Sequence, residues 1–301
     1  VSGILGISAP GSSAPIVNAG TVDNNGIEFQ ISYNKYVSDN FKFNVSYNLT
    51  ALENEVIFVS SDNGFVPGGS FGVGQDPPSR MEVGQPIGYF YGLQTDGIFQ
   101  NQAEVDAHAS QVNAAPGDLR FVDNNNDGEI NSEDRTFIGD PIPDMTMGLN
   151  FGFNYRNFDF TSYVYASIGN DIVRNYERSQ NLTNRRIDFL TRWTGEGSTN
   201  DFPRVSTGAN SNNLFSDFYV EDGSYIRIQN VQFGYNLPYE LLESIGIEKF
   251  RIYASANNLY TFTKNKGYDP SASSGAPIGG GIDQGFYPIP RTIMLGLNIK
   301  F

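Results

Sequence analysis

Arg291-Thr292-Ile293-Met294-Leu295-Gly296-Leu297-Asn298-Ile299-Lys300-Phe301 closes the chain, and its alternation decides how the rest is read. Ile293, Leu295, Leu297, Ile299 and Phe301 recur at every second position, with Thr292, Gly296, Asn298 and Lys300 between them. That is the period of a β-strand, and the length matches the ~9–11 residues a tilted strand needs to cross a bilayer. One fully apolar side beside a mixed side suits the closing strand of an outer-membrane barrel, with lipid outside and a lumen inside. The last strand of a soluble sandwich reads the same way, so the decision falls to the rest of the chain.

The same alternation returns upstream. Ile27, Phe29, Ile31 and Tyr33 alternate with Glu28, Gln30, Ser32 and Asn34; after the turn at Ser38-Asp39-Asn40 come Phe41, Phe43, Val45, Tyr47 and Leu49, a hairpin pattern. Met145, Met147, Leu149, Phe151, Phe153 and Tyr155 repeat the design, and Arg156-Asn157 turns the chain into a strand with Phe158 and Phe160 on one face and Tyr163 and Tyr165 on the other. A register shift between Ile228 and Val231 predicts a bulge. The predicted spans are 27–37, 41–52, 144–155, 158–168, 219–237, 249–263 and 291–301.

Links between these spans alternate in length. Short ones fall at 38–40, 156–157 and 238–248, the last with Glu240, Leu241, Leu242 and Ile245 at helical spacing; long ones fall at about 53–143, 169–218 and 264–290. Outer-membrane barrels alternate short periplasmic turns with long outside loops, so this parity puts the C-terminus on the periplasmic side. Residues 1–26, ending in the turn signal Asp23-Asn24-Asn25-Gly26, then read as an extracellular loop segment. Residues 27–52 form a barrel hairpin, 53–143 a long extracellular insertion and 144–301 the C-terminal barrel strands. Seven spans is an odd number, and open sheet edges are not tolerated in lipid, so further strands are expected from an upstream part or another chain. The Val1-Ser2-Gly3 start, with the first methionine at Met81, fits a fragment or a processed piece.

Composition agrees with this class. Among 301 residues, 33 glycines, 17 tyrosines and 23 phenylalanines favour strands and turns, and no run of ~18 apolar residues makes a membrane helix. Cysteine is absent, which excludes disulfides and thiol chemistry. A net charge of -14 argues against nucleic acid as a partner, because phosphate binding needs clustered Lys and Arg. The single histidine, His108, lies in a polar stretch that predicts a short helix and has no nucleophile motif near it, so no enzyme is expected. Gly68-Gly69-Ser70 and Gly279-Gly280-Gly281 read as flexible loop tips, since neither joins a strand to a helix as a phosphate cradle would.

Asp123-Asn124-Asn125-Asn126-Asp127-Gly128-Glu129-Ile130-Asn131-Ser132-Glu133-Asp134 is the strongest local motif. Numbered as a twelve-residue calcium loop, it places side-chain oxygens at Asp123, Asn125 and Asp127, the turn glycine at Gly128, a backbone carbonyl at Glu129 and a closing carboxylate at Asp134. A structural calcium, and no organic cofactor, is the expectation. An acidic turn held by side-chain to backbone hydrogen bonds, with no ion, accounts for the same residues.

The order of segments resembles the C-terminal third of SusC/RagA-type TonB-dependent transporters. The residues that carry the resemblance include Asn25-Gly26-Ile27-Glu28-Phe29, Val83-Gly84-Gln85-Pro86-Ile87-Gly88, Pro116-Gly117-Asp118-Leu119-Arg120-Phe121 and Gly139-Asp140-Pro141-Ile142-Pro143-Asp144. Gly169-Asn170-Asp171, Arg192-Trp193-Thr194, Glu221-Asp222-Gly223-Ser224-Tyr225-Ile226-Arg227, Gly267-Tyr268-Asp269-Pro270 and Pro288-Ile289-Pro290-Arg291-Thr292 continue it. The resemblance implies an all-β, antiparallel transmembrane barrel of roughly 22 strands with a plug, of which this chain supplies the last seven or so. It also implies a bacterial outer-membrane importer of oligosaccharides or oligopeptides. Its implied partners are a SusD-like surface lipoprotein, TonB acting through an upstream plug and barrel segment, the barrel-assembly machinery and outer-membrane lipid. Phe301 then looks like the assembly signal. Tyr89, Phe90, Tyr91, Phe215, Phe218 and Tyr219 are candidates to touch sugars or peptides, although loop packing or an interface girdle explains each more simply. The rival readings are a secreted calcium-stabilised β-domain for adhesion or glycan binding, and a glycan-processing enzyme.

Overall fold

The computed structural model describes residues 18–72, 74–175 and 186–301. Its frame is one antiparallel sheet of seven strands paired in chain order: β1 (Gly20–Ser38), β2 (Phe41–Val59), β3 (Met145–Tyr155), β4 (Phe158–Ile168), β5 (Tyr225–Asn236), β6 (Lys249–Thr263) and β7 (Thr292–Lys300). No helix among the described residues is long and apolar enough to cross a membrane.

Register explains why the alternation was so regular. Tyr33, Val45, Phe151, Ser162, Val231, Ala256 and Ile293 are successive cross-strand partners, one rung running from edge to edge. The adjacent rungs are polar except at Gly152 and Met294. They are Ser32, Ser46, Asn150, Tyr163, Asn230, Asn257 and Thr292, then, two positions along, Asn34, Asn44, Gly152, Thr161, Gln232, Ser255 and Met294. Since neighbouring positions of a strand face opposite sides, the sheet has one apolar and one polar face. On the apolar face Ile293 is 72% and Leu295 84% exposed. A continuous apolar face of this kind counts against a soluble sandwich and suits lipid, with the polar face turned to the lumen of an antiparallel transmembrane barrel.

Tyr163 and Tyr165 therefore belong to the polar face, and β4 keeps its register against β3 without interruption. The predicted bulge is present. Pairing of β5 with both neighbours skips Gln229, and on the β6 side Asn258 takes up a left-handed φ of 50°.

Three spans differ from the sequence reading. β1 begins at Gly20 instead of Ile27, and β2 runs to Val59, because Asn25 and Gly26 pair with Glu53 and Leu52 and do not turn. Gly26 is there for close approach: a Cβ would lie 2.3 Å from the Ala51 carbonyl oxygen. The third is β5, which starts at Tyr225, while Val220–Asp222 pairs with Asp171–Arg174 in a separate small sheet. Gly223, whose N–H bonds the Asn170 carbonyl, redirects the chain between them. The loop expected at 1–26 falls partly outside the described residues, in 1–17.

On the polar face, glycines are notches filled by neighbouring strands. A Cβ on Gly152 would meet Asn44, and one on Gly296 would meet the Tyr253 ring. At Gly234 the occupant is Arg251, which crosses the notch to donate to both oxygens of Asp159 at 2.9 and 2.5 Å, and to Gln232 at 2.9 Å. Gly234→Val would push the guanidinium off Asp159 and leave a half-buried carboxylate without its cation. We expect a loss of about 2 kcal/mol, read as a lower melting temperature of the intact detergent-solubilised protein, with Gly234→Ala losing less.

Candidate functional site: the layer built from the long connections

Antiparallel pairing brings all three long links to the same end of the sheet, opposite the short turns. They form a folded layer there. Phe65–Gly68, Ser79–Glu82, Tyr89–Gly92 and Thr136–Gly139 make a four-stranded sheet within the first link, and Asp171–Arg174 joins the second link to Ile282–Asp283 of the third. Phe71, Phe90, Val173, Phe215, Tyr219 and Ile282, drawn from all three links, share one apolar core. The aromatics proposed for sugar or peptide contact are thus largely core: Phe90, Phe215, Tyr219 and Tyr89 are buried. Tyr91 is half-buried beneath the Arg80 guanidinium, 3.5 Å from its ring centroid.

The glycine tracts expected to be mobile tips are packing surfaces. Gly279 is buried, and a Cβ on it would lie 3.1 Å from the Gly69 Cα, while Ser79 donates its hydroxyl to the carbonyls of both Gly68 and Ile278. Side chains there would part the first and third links.

Ion pairs sunk in the layer lock its parts to one another. Asp118, 0% exposed, accepts two hydrogen bonds from Arg204, at 2.7 and 2.9 Å, and one from Asn212. Glu221 receives Arg174 at 2.6 Å, Arg186 at 3.3 Å and the Lys266 N–H at 2.8 Å; burial alone would raise its pKa, but these donors outweigh it and hold the carboxyl below its ordinary value. Arg227 of β5, 3% exposed, reaches Asp269 at 2.6 Å, and Asp269 also accepts the N–H groups of Ser271 and Ile289, so both ends of the third link are pinned to the wall. A cleft of about 320 Å³ between Gln75, Asp76, Arg135, Asn131, Leu93 and Phe215 opens beside the Asp-rich loop. Arg135 in its wall is tied to Asp76 and to the carbonyls of Tyr91 and Pro77.

The Asp-rich loop is wound as a tight acidic turn. Asp123 accepts the N–H groups of Asp127 and Gly128, Asn125 accepts from Asp127, and Asp127 accepts from Glu129. Asp134 is turned away from them. It is 0% exposed and accepts the N–H groups of Asn124 and Asn131, closing a capping box over the turn Ser132–Asp134. Among the described residues no three His, Asp or Glu side chains are grouped to hold a metal ion. Asp123, Asn125 and Asp127 thus spend side-chain oxygens on the turn's own N–H groups, and Asp134, as arranged, serves the backbone.

His108 ends the helix Gln102–Ala107, with its Nε2 2.8 Å from the Phe121 carbonyl and its ring edge-on to Phe99. Phe301 follows β7 and is exposed.

What sequence reading did not anticipate is that three of its motifs meet. Gly139 to Asp144, Gly169 to Asp171 and Glu221 to Ser224 converge where the layer joins the wall. Asp171 bonds the Asp140 carbonyl through its N–H, Gly169 donates to Ser224, and Gly139 lies against the Asp171 carboxylate. Burial, and the nearby carboxylates of Asp140, Asp222 and Asp144, push Asp171 up to about 6. A folded-state value above the ordinary 3.8 means that stability is fully present below about pH 4 and is lost as pH rises through 6. Asp171→Asn keeps an oxygen for the Asp140 N–H and removes the charge. We expect it to stabilise the protein at pH 7.5, on the order of 1 kcal/mol given partial solvation of the group, with the gain vanishing by pH 4 in a melting series.

No family model matches the chain. Its relatives include the TonB-dependent receptor P3 of Formosa agariphila, 34% identical over 97% of this chain and 30% of the relative. The TonB-dependent receptor SusC of Bacteroides thetaiotaomicron is 28% identical over 94% of this chain and 27% of its own length. Among solved structures, the RagAB peptide transporter superposes with a TM-score of 0.73 at 20% identity, covering 97% of this chain and 31% of that one. The chain thus spans about 30% of the length of the curated relatives it matches.

Proposed function

This chain belongs to the SusC/RagA family of TonB-dependent receptors, and from that premise we propose that it is one part of an active importer in the bacterial outer membrane. The observation that carries the proposal is the sheet itself: seven antiparallel strands paired in chain order, apolar on one side and polar on the other, within a chain matched along 97% of its length by a TonB-dependent receptor. In this reading the long-connection layer, 53–143 included, faces outward, the short turns and Phe301 face the periplasm, and the cargo is an oligosaccharide or oligopeptide. A SusD-like lipoprotein covers the layer, TonB supplies energy through a segment upstream, and Phe301 presents the strand to the assembly machinery. No catalytic role is proposed. Uptake of oligosaccharide and oligopeptide mixtures by cells carrying the intact receptor should be lost on depleting TonB, and gentle purification should recover a surface lipoprotein. Uptake unaffected by TonB would remove the proposal.

Calcium forms a separate part of this reading. We propose that Asp123, Asn125, Asp127 and the Glu129 carbonyl hold it in a structural role, since these oxygens alternate along one tight turn. Adding calcium after chelation should raise the melting temperature by roughly 2–5 °C in the intact receptor, and Asp127→Ala should abolish the rise. A melting curve indifferent to calcium would leave the turn held by its own hydrogen bonds.

A further inference from the structure

Across the middle of the polar face, the two rungs through Ser46 and through Asn44 carry no charged side chain from one edge of the sheet to the other. Their groups are hydroxyls, amides and a phenol, with Gly152 between them and the Met294 thioether at one edge. Several are already turned on one another: Ser32 donates to Ser46 at 2.9 Å, and Asn230 to Asn257 at 2.7 Å. Charge returns at the margins, where Lys42 stands two positions from Asn44 on the same face and the arginines are spoken for. On one side Arg227 is buried against Asp269; on the other Arg251 is held by Asp159 and Gln232. A chain with a net charge of -14 thus keeps this band of its polar face neutral, with no charged side chain in either rung among the described residues.

We infer that the cargo passing this wall is an uncharged, hydrogen-bonding oligomer, and that polyanionic cargo is rejected. This inference rests on the import reading. The physical reason is desolvation. A carboxylate or sulfate entering a confined passage gives up water, and Ser, Thr and Asn side chains replace that hydration far less well than a paired cation would. Hydroxyls and amides exchange one set of hydrogen bonds for another at little cost. The shared chemistry fits a neutral glycan and a neutral peptide alike.

The test uses the intact receptor in cells, compared with a receptor-deleted strain, and mass spectrometry of what is taken up. The panel is a library of oligosaccharides of matched length in neutral, uronate-bearing, sulfated and amine-bearing forms, with neutral, acidic and basic peptides beside them. Receptor-dependent uptake of neutral members should exceed that of acidic ones by about tenfold or more, a difference of ~1.4 kcal/mol. Whether the sugar or the peptide arm responds identifies the source. Asn150→Asp, and independently Ser46→Asp, should raise the ratio of basic to neutral uptake several-fold at matched outer-membrane levels. Receptor-dependent uptake of acidic cargo equal to neutral would overturn the inference while the importer stands. So would a ratio unmoved in both variants. If no member of the library depends on the receptor, the importer reading falls, and this inference with it.

Discussion

In hydrocarbon no water is present to satisfy a peptide group, and each unpaired N–H or carbonyl costs several kcal/mol. Everything in this chain is arranged around that cost. The seven strands pair without a gap from β1 to β7, and the turns between β1 and β2 and between β3 and β4 are as short as strand geometry allows. Irregular backbone is moved to one end, into a layer that satisfies itself through small sheets and side-chain acceptors. Among the described residues the two edge strands, β1 and β7, have no further strand beside them.

The same constraint sets which side chains go where. Lipid accepts only apolar groups, so every second residue is committed and specificity is left to the other face. There the chain places glycine beside larger neighbours. Gly152 beside Asn44, Gly234 beneath Arg251 and Gly296 beneath Tyr253 let polar and aromatic groups lie flat along the wall and bond across strands. Neighbouring strands are thereby tied by side chains as well as by backbone, and the wall keeps a smooth polar surface.

The layer follows a different logic. It has no lipid to define an outside, and its apolar clusters are small, so buried ion pairs carry much of its specificity. Asp118 with Arg204, Glu221 with Arg174 and Arg186, and Asp269 with Arg227 each join pieces far apart in sequence. Breaking one would strand a charge in a partly dry site, which is why such pairs define a unique arrangement even where their net stabilisation is modest. The carboxylates around Asp171 depart from this pattern. They gather at the joint with the wall with no ion pair among the described residues, and burial then favours the protonated form of Asp171.

Much of this was legible along the chain, and the reason is periodicity. A strand in lipid obeys a period of two that no distant residue can override, so the final strand from Thr292, the hairpin at Ser38-Asp39-Asn40, the bulge near Gln229 and the faces of Phe158 and Tyr163 could all be read directly. Strand ends were less legible. Asn25-Gly26 has the composition of a turn, and only its partners on β2 make it strand. The layer was hardly legible at all. Its contacts join Gly69 to Gly279, Asp118 to Arg204 and Asp140 to Asp171, pairs with no local signature. Local alternation by itself determined the barrel wall and its two faces. Tertiary structure alone decided that the long links form one packed layer, that Asp134 serves the backbone, and that the wall's arginines are neutralised, because burial and charge pairing join residues that the strand period does not relate.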